Sequence, residues 1–162
     1  MIDTSRRAAL LAGASAIGTA LAGCLSDGTD EWETDKTISA TAATMYKGPS
    51  CDCCDVYAEY FDDSFTTDLE TVVSEDLAAL KDNHGINTDL RSCHTVELDD
   101  YLVEGHVPAE TVATLLEDEP DISGIALPGM PAGSPGMGGK KDETWTVYEI
   151  RAGDEPAVYT EL

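Results

Sequence analysis

A cysteine motif at the junction of two predicted secondary-structure elements most constrains what this chain can fold into. Cys51 and Cys54 form a C-x-x-C pair, with Cys53 between them. The strand-like run 42–46 and a Lys-Gly-Pro-Ser turn precede the pair, and apolar residues recur at helical spacing after it. A dithiol between a strand and the start of a helix is typical of thioredoxin-like proteins. We expect Ser50 to be the N-cap of that helix.

The remaining predicted elements continue the order of a thioredoxin-like domain. Capping residues indicate one helix after Asp76, with Leu77 and Leu80 pointing inward, and another helix starting at Pro108. Strand patterns occupy residues 68–73, 93–98, 101–104, 145–150 and 157–159. The order β-α-β-α-β-β-α predicts an α/β, thioredoxin-like fold, in which helices flank a central mixed sheet and a C-terminal segment is added.

The first 23 residues have the composition of an export signal. Arg6 and Arg7 precede the apolar run 8–22, which ends in Leu-Ala-Gly before Cys24. Paired arginines, a short apolar stretch and small residues before a cysteine are typical of a twin-arginine (Tat) lipoprotein signal peptide. We therefore predict a signal peptide at 1–23, lipidation of Cys24, and a cell-surface protein anchored to the outer face of the cytoplasmic membrane. The alternative is an uncleaved N-terminal anchor helix.

The charge of the chain excludes one class of function. The sequence has 9 Lys and Arg against 32 Asp and Glu, a formal net charge of −23. General nucleic-acid binding needs clustered basic residues, so we expect no nucleic-acid partner. Because the acidic residues alternate with apolar ones, they favour a globular domain with a salt-adapted surface, from a halophilic source. Residues 24–40 are predicted to be an acidic tether, and 41–162 the thioredoxin-like, metal-binding domain.

Four cysteines of that domain are candidate metal ligands: Cys51, Cys53, Cys54 and Cys93. Thiolates are soft donors that select Cu(I), zinc or iron–sulfur centres. A redox dithiol needs one attacking and one resolving sulfur, so a third cysteine favours metal binding, with the sulfurs of Cys53 and Cys54 bridging several Cu(I) ions. Three alternatives stay open: a thiol–disulfide oxidoreductase using Cys51 and Cys54, a structural zinc site, and two ordinary disulfides.

Two histidines and two methionines extend the donor set. His94 follows Cys93 directly, and in a regular strand only one of them should face the site, unless the strand starts with a bend. His106 lies just before a predicted helix, where it is either a ligand or a hydrogen-bonding residue of the turn. Met130 and Met137 lie in a loop rich in Pro and Gly, which favours thioether ligands over core packing. Cysteine, methionine and histidine together in an exported chain indicate copper.

Four motifs resemble one protein family. They are MYKGPSCDCC at 45–54, LRSCHT at 90–95, VEGHVPAE at 103–110 and PGMPAGSPGM at 128–137. Together they resemble the CopG-type copper-resistance and metal-binding proteins, a domain of unknown function (four-eleven). One departure is Asp52, which stands where members of the family usually have Gly and adds a negative charge between the cysteines.

The resemblance implies an exported thioredoxin-like domain that holds Cu(I) in a cysteine-thiolate site and contributes to copper tolerance. It also implies a role in interconverting Cu(I) and Cu(II), which would make the protein a copper oxidoreductase. The expected partners are copper ions, another exported copper carrier or efflux component, and the membrane through the lipid anchor. The implied ligands are the four cysteines, with two histidines and two methionines as further members: Cys51, Cys53, Cys54, Cys93, His94, His106, Met130 and Met137.

Overall fold

A computed structural model of the protein describes residues 38–153 and 155–162. The predicted signal peptide at 1–23, the lipidation site Cys24 and the predicted tether up to residue 37 lie outside the described residues. Among the described residues, no helix has both the length and the apolar composition needed to cross a membrane.

Seven strands form one mixed sheet in the described part of the chain, with three α-helices in the connections between them. The sheet order is β2-β1-β3-β4-β5-β6-β7. A short 3₁₀ turn at Thr88–Leu90 lies before the third strand. In chain order the elements are β1 (Ala43–Lys47), α1 (Asp52–Ser64), β2 (Leu69–Val73), α2 (Leu77–Asn83), β3 (His94–Leu98), β4 (Tyr101–Glu104), α3 (Ala109–Asp118), β5 (Gly124–Ala126), β6 (Thr146–Ile150) and β7 (Ala157–Glu161).

The first four strands have thioredoxin-like pairing, which confirms the predicted fold. β1 pairs parallel with β2 and antiparallel with β3, and β3 pairs antiparallel with β4. The added C-terminal segment enlarges this sheet: β5 pairs parallel with β4, and β6 and β7 continue from it in antiparallel fashion. The sequence did not predict β5, because three buried residues are too few to show a period.

Two apolar clusters lie on opposite faces of the sheet. Val103 of β4 and Ile125 of β5 belong to the larger cluster, while their neighbours Leu102 and Ala126 belong to the smaller one. Successive side chains of a strand point to opposite faces, so the two clusters are separated by the sheet. The larger cluster includes the buried faces of α1 and α3: Tyr57, Tyr60, Phe61, Val112, Ala113 and Leu115. The helix that begins within the cysteine motif is therefore anchored in the main core.

The core already includes Ile38, a residue predicted to belong to the tether. Ile38 is buried and forms an isolated parallel bridge with Phe65. Its N–H donates to Ser64 O at 2.9 Å, and Thr66 N–H donates to Ile38 O at the same distance. The ring of Phe65 in turn stacks on Phe61, with centroids 3.8 Å apart. The segment before β1 is thus held against the end of α1.

The starts of the first two helices differ in how well local sequence predicted them. Asp76 caps α2, as predicted, by accepting a hydrogen bond from Ala79 N at 3.0 Å. The N-cap of α1 is Cys51, whose side chain makes no capping hydrogen bond. The prediction of Ser50 as that N-cap was wrong by one residue, because a cysteine is not a usual capping residue and gives no such signal.

Helix α2 buries a lysine where the sequence indicated leucines. Leu77 and Leu80, predicted to point inward, are only half-buried, whereas Lys81 is 3% exposed. Lysine is rarely buried unless it is paired. The partner of Lys81 lies at the candidate site described next.

Candidate metal centre

The cysteines and histidines converge at one end of the sheet. Lys47, the last residue of β1, lies opposite His94, the first residue of β3, and Thr95 lies opposite Glu104, the last residue of β4. The end of β1 leads into the cysteine motif at 51–54, and the end of β4 leads into the loop before α3. Pairing in the sheet therefore brings together segments that are distant in sequence.

All four predicted cysteine ligands lie within one small volume. Cys51 and Cys54 form a disulfide, whereas Cys53 and Cys93 are not disulfide-bonded. Cys51 Sγ lies 3.6 Å from Cys53 Sγ, and the four sulfur atoms all lie within 4.8 Å of one another. These four cysteines thus form one disulfide and leave two thiols, instead of the two disulfides of the alternative interpretation. Reduction of the disulfide by two electrons and two protons would give four thiols in one cluster.

Cys93 also belongs to a second group of donors, with His94 and His106. Its Sγ lies 3.4 Å from His94 Nδ1 and 3.0 Å from His106 Nε2. Cys93 lies in a bend directly before β3, and this bend lets Cys93 and His94 face the same site. The expectation for a regular strand, that only one of the two would face it, therefore does not hold. One ligand atom from each of the three residues falls within 4.8 Å of the others.

Hydrogen bonds and burial hold both imidazoles in a form that can bind a metal. His106 Nδ1 donates to Pro135 O at 2.6 Å, and because that carbonyl can only accept, Nε2 keeps its lone pair toward Cys93. Burial lowers the pKa of His106, and burial with the nearby His106 and Lys81 lowers the pKa of His94 well below its usual value. His94 Nε2 is buried without a hydrogen-bond partner among the described residues.

The surroundings of the Cys93 thiol favour its protonated form. Burial, followed by the charge of the neighbouring Cys53, raises the pKa of Cys93 to about 12. A metal must bind the thiolate, so binding at this position would release a proton.

Tyr57 of α1 joins the cysteine helix to both histidines. Its ring centroid lies 4.6 Å from that of His94 and 5.3 Å from that of His106. Its hydroxyl donates to Val107 O at 2.8 Å, and the side chain is fully buried. Tyr57 was not among the predicted site residues, since nothing local reveals which buried tyrosine lines a site.

A buried ion pair is hydrogen-bonded to the backbone next to Cys93, and neither of its members was predicted from the sequence. Lys81 Nζ pairs with Glu104 Oε1, and the two side chains are almost completely buried. Glu104 precedes His106 by two residues, and Ser92 N–H, next to Cys93, donates to Glu104 Oε1 at 2.5 Å. A charged residue at the end of a strand and another in a short helix look like ordinary surface positions in sequence.

The two methionines occupy different surroundings in their shared loop. Gly136 packs against α1 so closely that a Cβ there would lie 2.8 Å from Cys53 O, and the adjacent Met137 is half-buried. Met130 is 41% exposed, in a turn with a positive φ of 48°. The loop thus holds Gly136, the residue before Met137, against α1 and leaves Met130 largely open to solvent.

The donors at this centre fit a soft metal. Thiols and neutral imidazoles suit copper and zinc, and poorly suit magnesium or calcium. The buried, unpartnered Nε2 of His94 is a further observation that this position is built for more than packing, because such atoms normally have a partner. With the disulfide intact the available donors are Cys53, Cys93, His94 and His106, and reduction would add Cys51 and Cys54.

Comparisons with known proteins find relatives in sequence and in fold. The sequence model of a family described as "Protein of unknown function, DUF411" matches residues 90–137, which include Cys93 and both histidines of the site. Two solved structures described as "Copper resistance protein copG", Form 2 and Form 1, are similar to the chain at 29% identity and a TM-score of 0.67. Each match covers 78% of this chain, and 99% and 98% of the respective structures. No protein with a curated description matches the chain.

Proposed function

We propose that this chain, which belongs to the CopG-type, DUF411 family, binds copper at the Cys/His centre and contributes to copper resistance. The observation that carries the proposal is the position of Cys93, which belongs both to the four-cysteine group and to the group with His94 and His106. Two solved relatives described as copper resistance proteins support copper over other soft metals.

The copper would be held as Cu(I) by thiolates once the disulfide is reduced. Four sulfurs that lie within 4.8 Å of one another can bridge more than one ion, since adjacent Cys53 and Cys54 cannot easily chelate the same one. The two neutral imidazoles supply nitrogen donors close to Cys93 Sγ. Met137 would complete the donor set from its loop, and Met130 would be a more exposed member.

A redox role is the second candidate, and the Cys51–Cys54 disulfide beside the donors favours it. In the reduced protein these two thiols can give two electrons to two Cu(II) ions. The products are two Cu(I) ions, one disulfide and two protons. Copper is then a substrate as well as cargo, and an external thiol reductant would regenerate the dithiol. The test is anaerobic addition of Cu(II) to the reduced protein, followed by electron paramagnetic resonance. Two equivalents of the Cu(II) signal should be lost for each disulfide formed. Cu(II) that keeps its full signal would contradict this role.

The location of the protein is proposed from the sequence alone. The predicted twin-arginine lipoprotein signal at 1–23 and the lipid-bearing Cys24 would tether the domain to the outer face of the cytoplasmic membrane. There it would exchange copper with another exported carrier or an efflux component. Mass spectrometry of the membrane-bound protein should find Cys24 as a lipid-modified N-terminal residue, whereas an unmodified Cys24 in the membrane-bound chain would contradict its lipidation.

Copper content of cysteine and histidine variants tests the main proposal. Reduced protein is loaded anaerobically with Cu(I), passed through a desalting column and analysed for metal. Cys93→Ser should lose more copper than Cys51→Ser or Cys53→Ser, because Cys93 belongs to both donor groups. His84→Ala is the matched control for His106→Ala, since His84 pairs with Glu97 at 2.9 Å outside either donor group. Full copper stoichiometry in Cys93→Ser, or preferential retention of zinc by the wild type, would contradict copper binding at this centre.

A further inference from the structure

The backbone bends at Cys93, directly before β3, and so departs from strand geometry at a candidate ligand. In a continuous strand, successive side chains point to opposite faces of the sheet. Cys93 and His94 are successive residues, yet Cys93 Sγ lies 3.4 Å from His94 Nδ1 and both face the centre. The bend at Cys93 is therefore what allows both to act as ligands of one site.

Both peptide groups of Ser92, the residue before the bend, are bonded to the buried ion pair. Ser92 N–H donates to Glu104 Oε1 at 2.5 Å, and Ser92 O accepts from Lys81 Nζ at 2.8 Å. Lys81 comes from α2 and Glu104 from the end of β4. Two elements thus fix the orientation of the peptide from which Cys93 extends.

The same carboxylate fixes the neighbouring strand and the approach to His106. Glu104 Oε2 accepts from Thr95 Oγ1 at 2.6 Å. One residue further along the chain, Gly105 N–H donates to His94 O at 3.1 Å. Gly105 has a φ of +80°, and a Cβ there would lie 2.6 Å from Leu127 O, so the turn into His106 is tightly enclosed. Cys93, His94 and His106 therefore all lie in segments that are hydrogen-bonded to Glu104 or to the adjacent Gly105.

Stability alone does not explain a fully buried charged pair at this position. Removing two charges from water is costly, and well-packed apolar residues of similar size are often as stabilising or more so. In α2 the leucines Leu77 and Leu80 are only half-buried while Lys81 is 3% exposed, although a leucine would be the ordinary choice for the buried position. An apolar side chain, however, could not bond the two peptide groups of Ser92.

We propose that Lys81 and Glu104 are positioning residues of the copper centre, which hold the bend that turns Cys93 toward His94 and His106. They need not touch copper, and they act through the Ser92 peptide. The inference rests on the proposed copper-binding function, but it also makes a prediction for the metal-free protein, so the two can fail separately.

The main variant replaces both charges by an apolar residue of similar length, Lys81→Met with Glu104→Met, and so leaves no buried unpaired charge. The matched control is Arg151→Met with Glu149→Gln. It removes the ion pair between Glu149 of β6 and Arg151, the residue after β6, whose Nε and Oε2 atoms lie 2.7 Å apart. After anaerobic Cu(I) loading, X-ray absorption should show fewer nitrogen neighbours around copper in the main variant, and at least tenfold weaker retention against a Cu(I) chelator. The control should match the wild type in both.

A second measurement needs no metal. In the protein with the Cys51–Cys54 disulfide intact, alkylation by iodoacetamide is followed separately at Cys53 and Cys93 by mass spectrometry. Loss of the bend should expose Cys93, so its alkylation should become at least tenfold faster in the main variant, while Cys53 stays within about twofold and serves as the internal reference. A wild type that takes up no copper would refute the proposed function and leave this second test intact.

Unchanged copper coordination together with unchanged Cys93 alkylation in the folded main variant would overturn the positioning role. If that variant does not fold, Lys81→Met with Glu104→Gln decides, because Gln keeps an acceptor for Ser92 N–H while the donor to Ser92 O is lost. Alkylation of Cys93 should then rise at least threefold. Failure of both variants to fold would also contradict the inference, since the pair would then be a requirement of the fold itself.

Discussion

Replacing Tyr57 with Phe removes one buried hydroxyl from the candidate centre and keeps the aromatic ring that contacts both histidines. The hydroxyl donates to Val107 O at 2.8 Å inside a fully buried environment. Without the hydroxyl, the Val107 carbonyl loses this hydrogen-bond donor, and water cannot replace the donor because the site is buried. An unsatisfied buried acceptor of this kind costs roughly 1–3 kcal/mol. At roughly 4 °C per kcal/mol for a domain of this size, the melting temperature should fall by about 4–12 °C.

Tyr101→Phe is the matched control for this prediction. The Tyr101 hydroxyl also donates to a backbone carbonyl, Pro120 O at 3.1 Å, but the side chain is only half-buried and water can replace the bond. We expect a loss of at most about 0.5 kcal/mol there. Thermal and urea unfolding of both variants, in the same salt, measures the difference. Equal losses in Tyr57→Phe and Tyr101→Phe would refute the reasoning, and a loss of copper in Tyr57→Phe would show that its hydroxyl does more than stabilise.

Two further predictions concern backbone geometry and charge. Gly136→Ala should destabilise the protein by more than Gly129→Ala, as measured by urea unfolding. Both glycines have positive φ, but a Cβ at Gly136 would lie 2.9 Å from Tyr57 N, whereas one at Gly129 would meet nothing within 4 Å. Equal losses of unfolding free energy in the two variants would contradict the packing of the loop at Gly136 on α1. Asp99→Asn should destabilise the protein at pH 7, because hydrogen bonds from Thr41 to the carboxylate hold the pKa of Asp99 below its usual value. This contribution is lost when Asp99 is protonated, so the difference in unfolding free energy between wild type and variant should shrink as pH falls below about 4. A pH-independent difference would contradict this.

The order of elements was accessible from the sequence because it depends on local patterns. The helical spacing after the cysteine motif and the capping residue Asp76 predicted α1 and α2, and both are present. β5 was not predicted, since Gly124–Ala126 is three buried residues without a readable period. The topology that joins the C-terminal hairpin to the thioredoxin-like unit depends on that strand.

The members of the candidate centre were partly accessible from the sequence, whereas its geometry was not. Cysteine and histidine in short motifs reveal candidate ligands, because soft donors are uncommon and easily recognised. That Cys93 and His94 face one site depends on a bend that Lys81 and Glu104 hold from distant segments. A buried ion pair has no local signature, because the sequence pattern of its two residues is that of exposed ones.

The most direct test of the central claim is metal analysis with X-ray absorption on the reduced domain after anaerobic Cu(I) loading. Copper binding at this centre predicts more than one copper per chain, with copper–sulfur distances typical of thiolates, a nitrogen contribution from histidine, and loss of most of the copper in Cys93→Ser. Copper bound through oxygen alone, or a wild type that retains none after desalting, would contradict it.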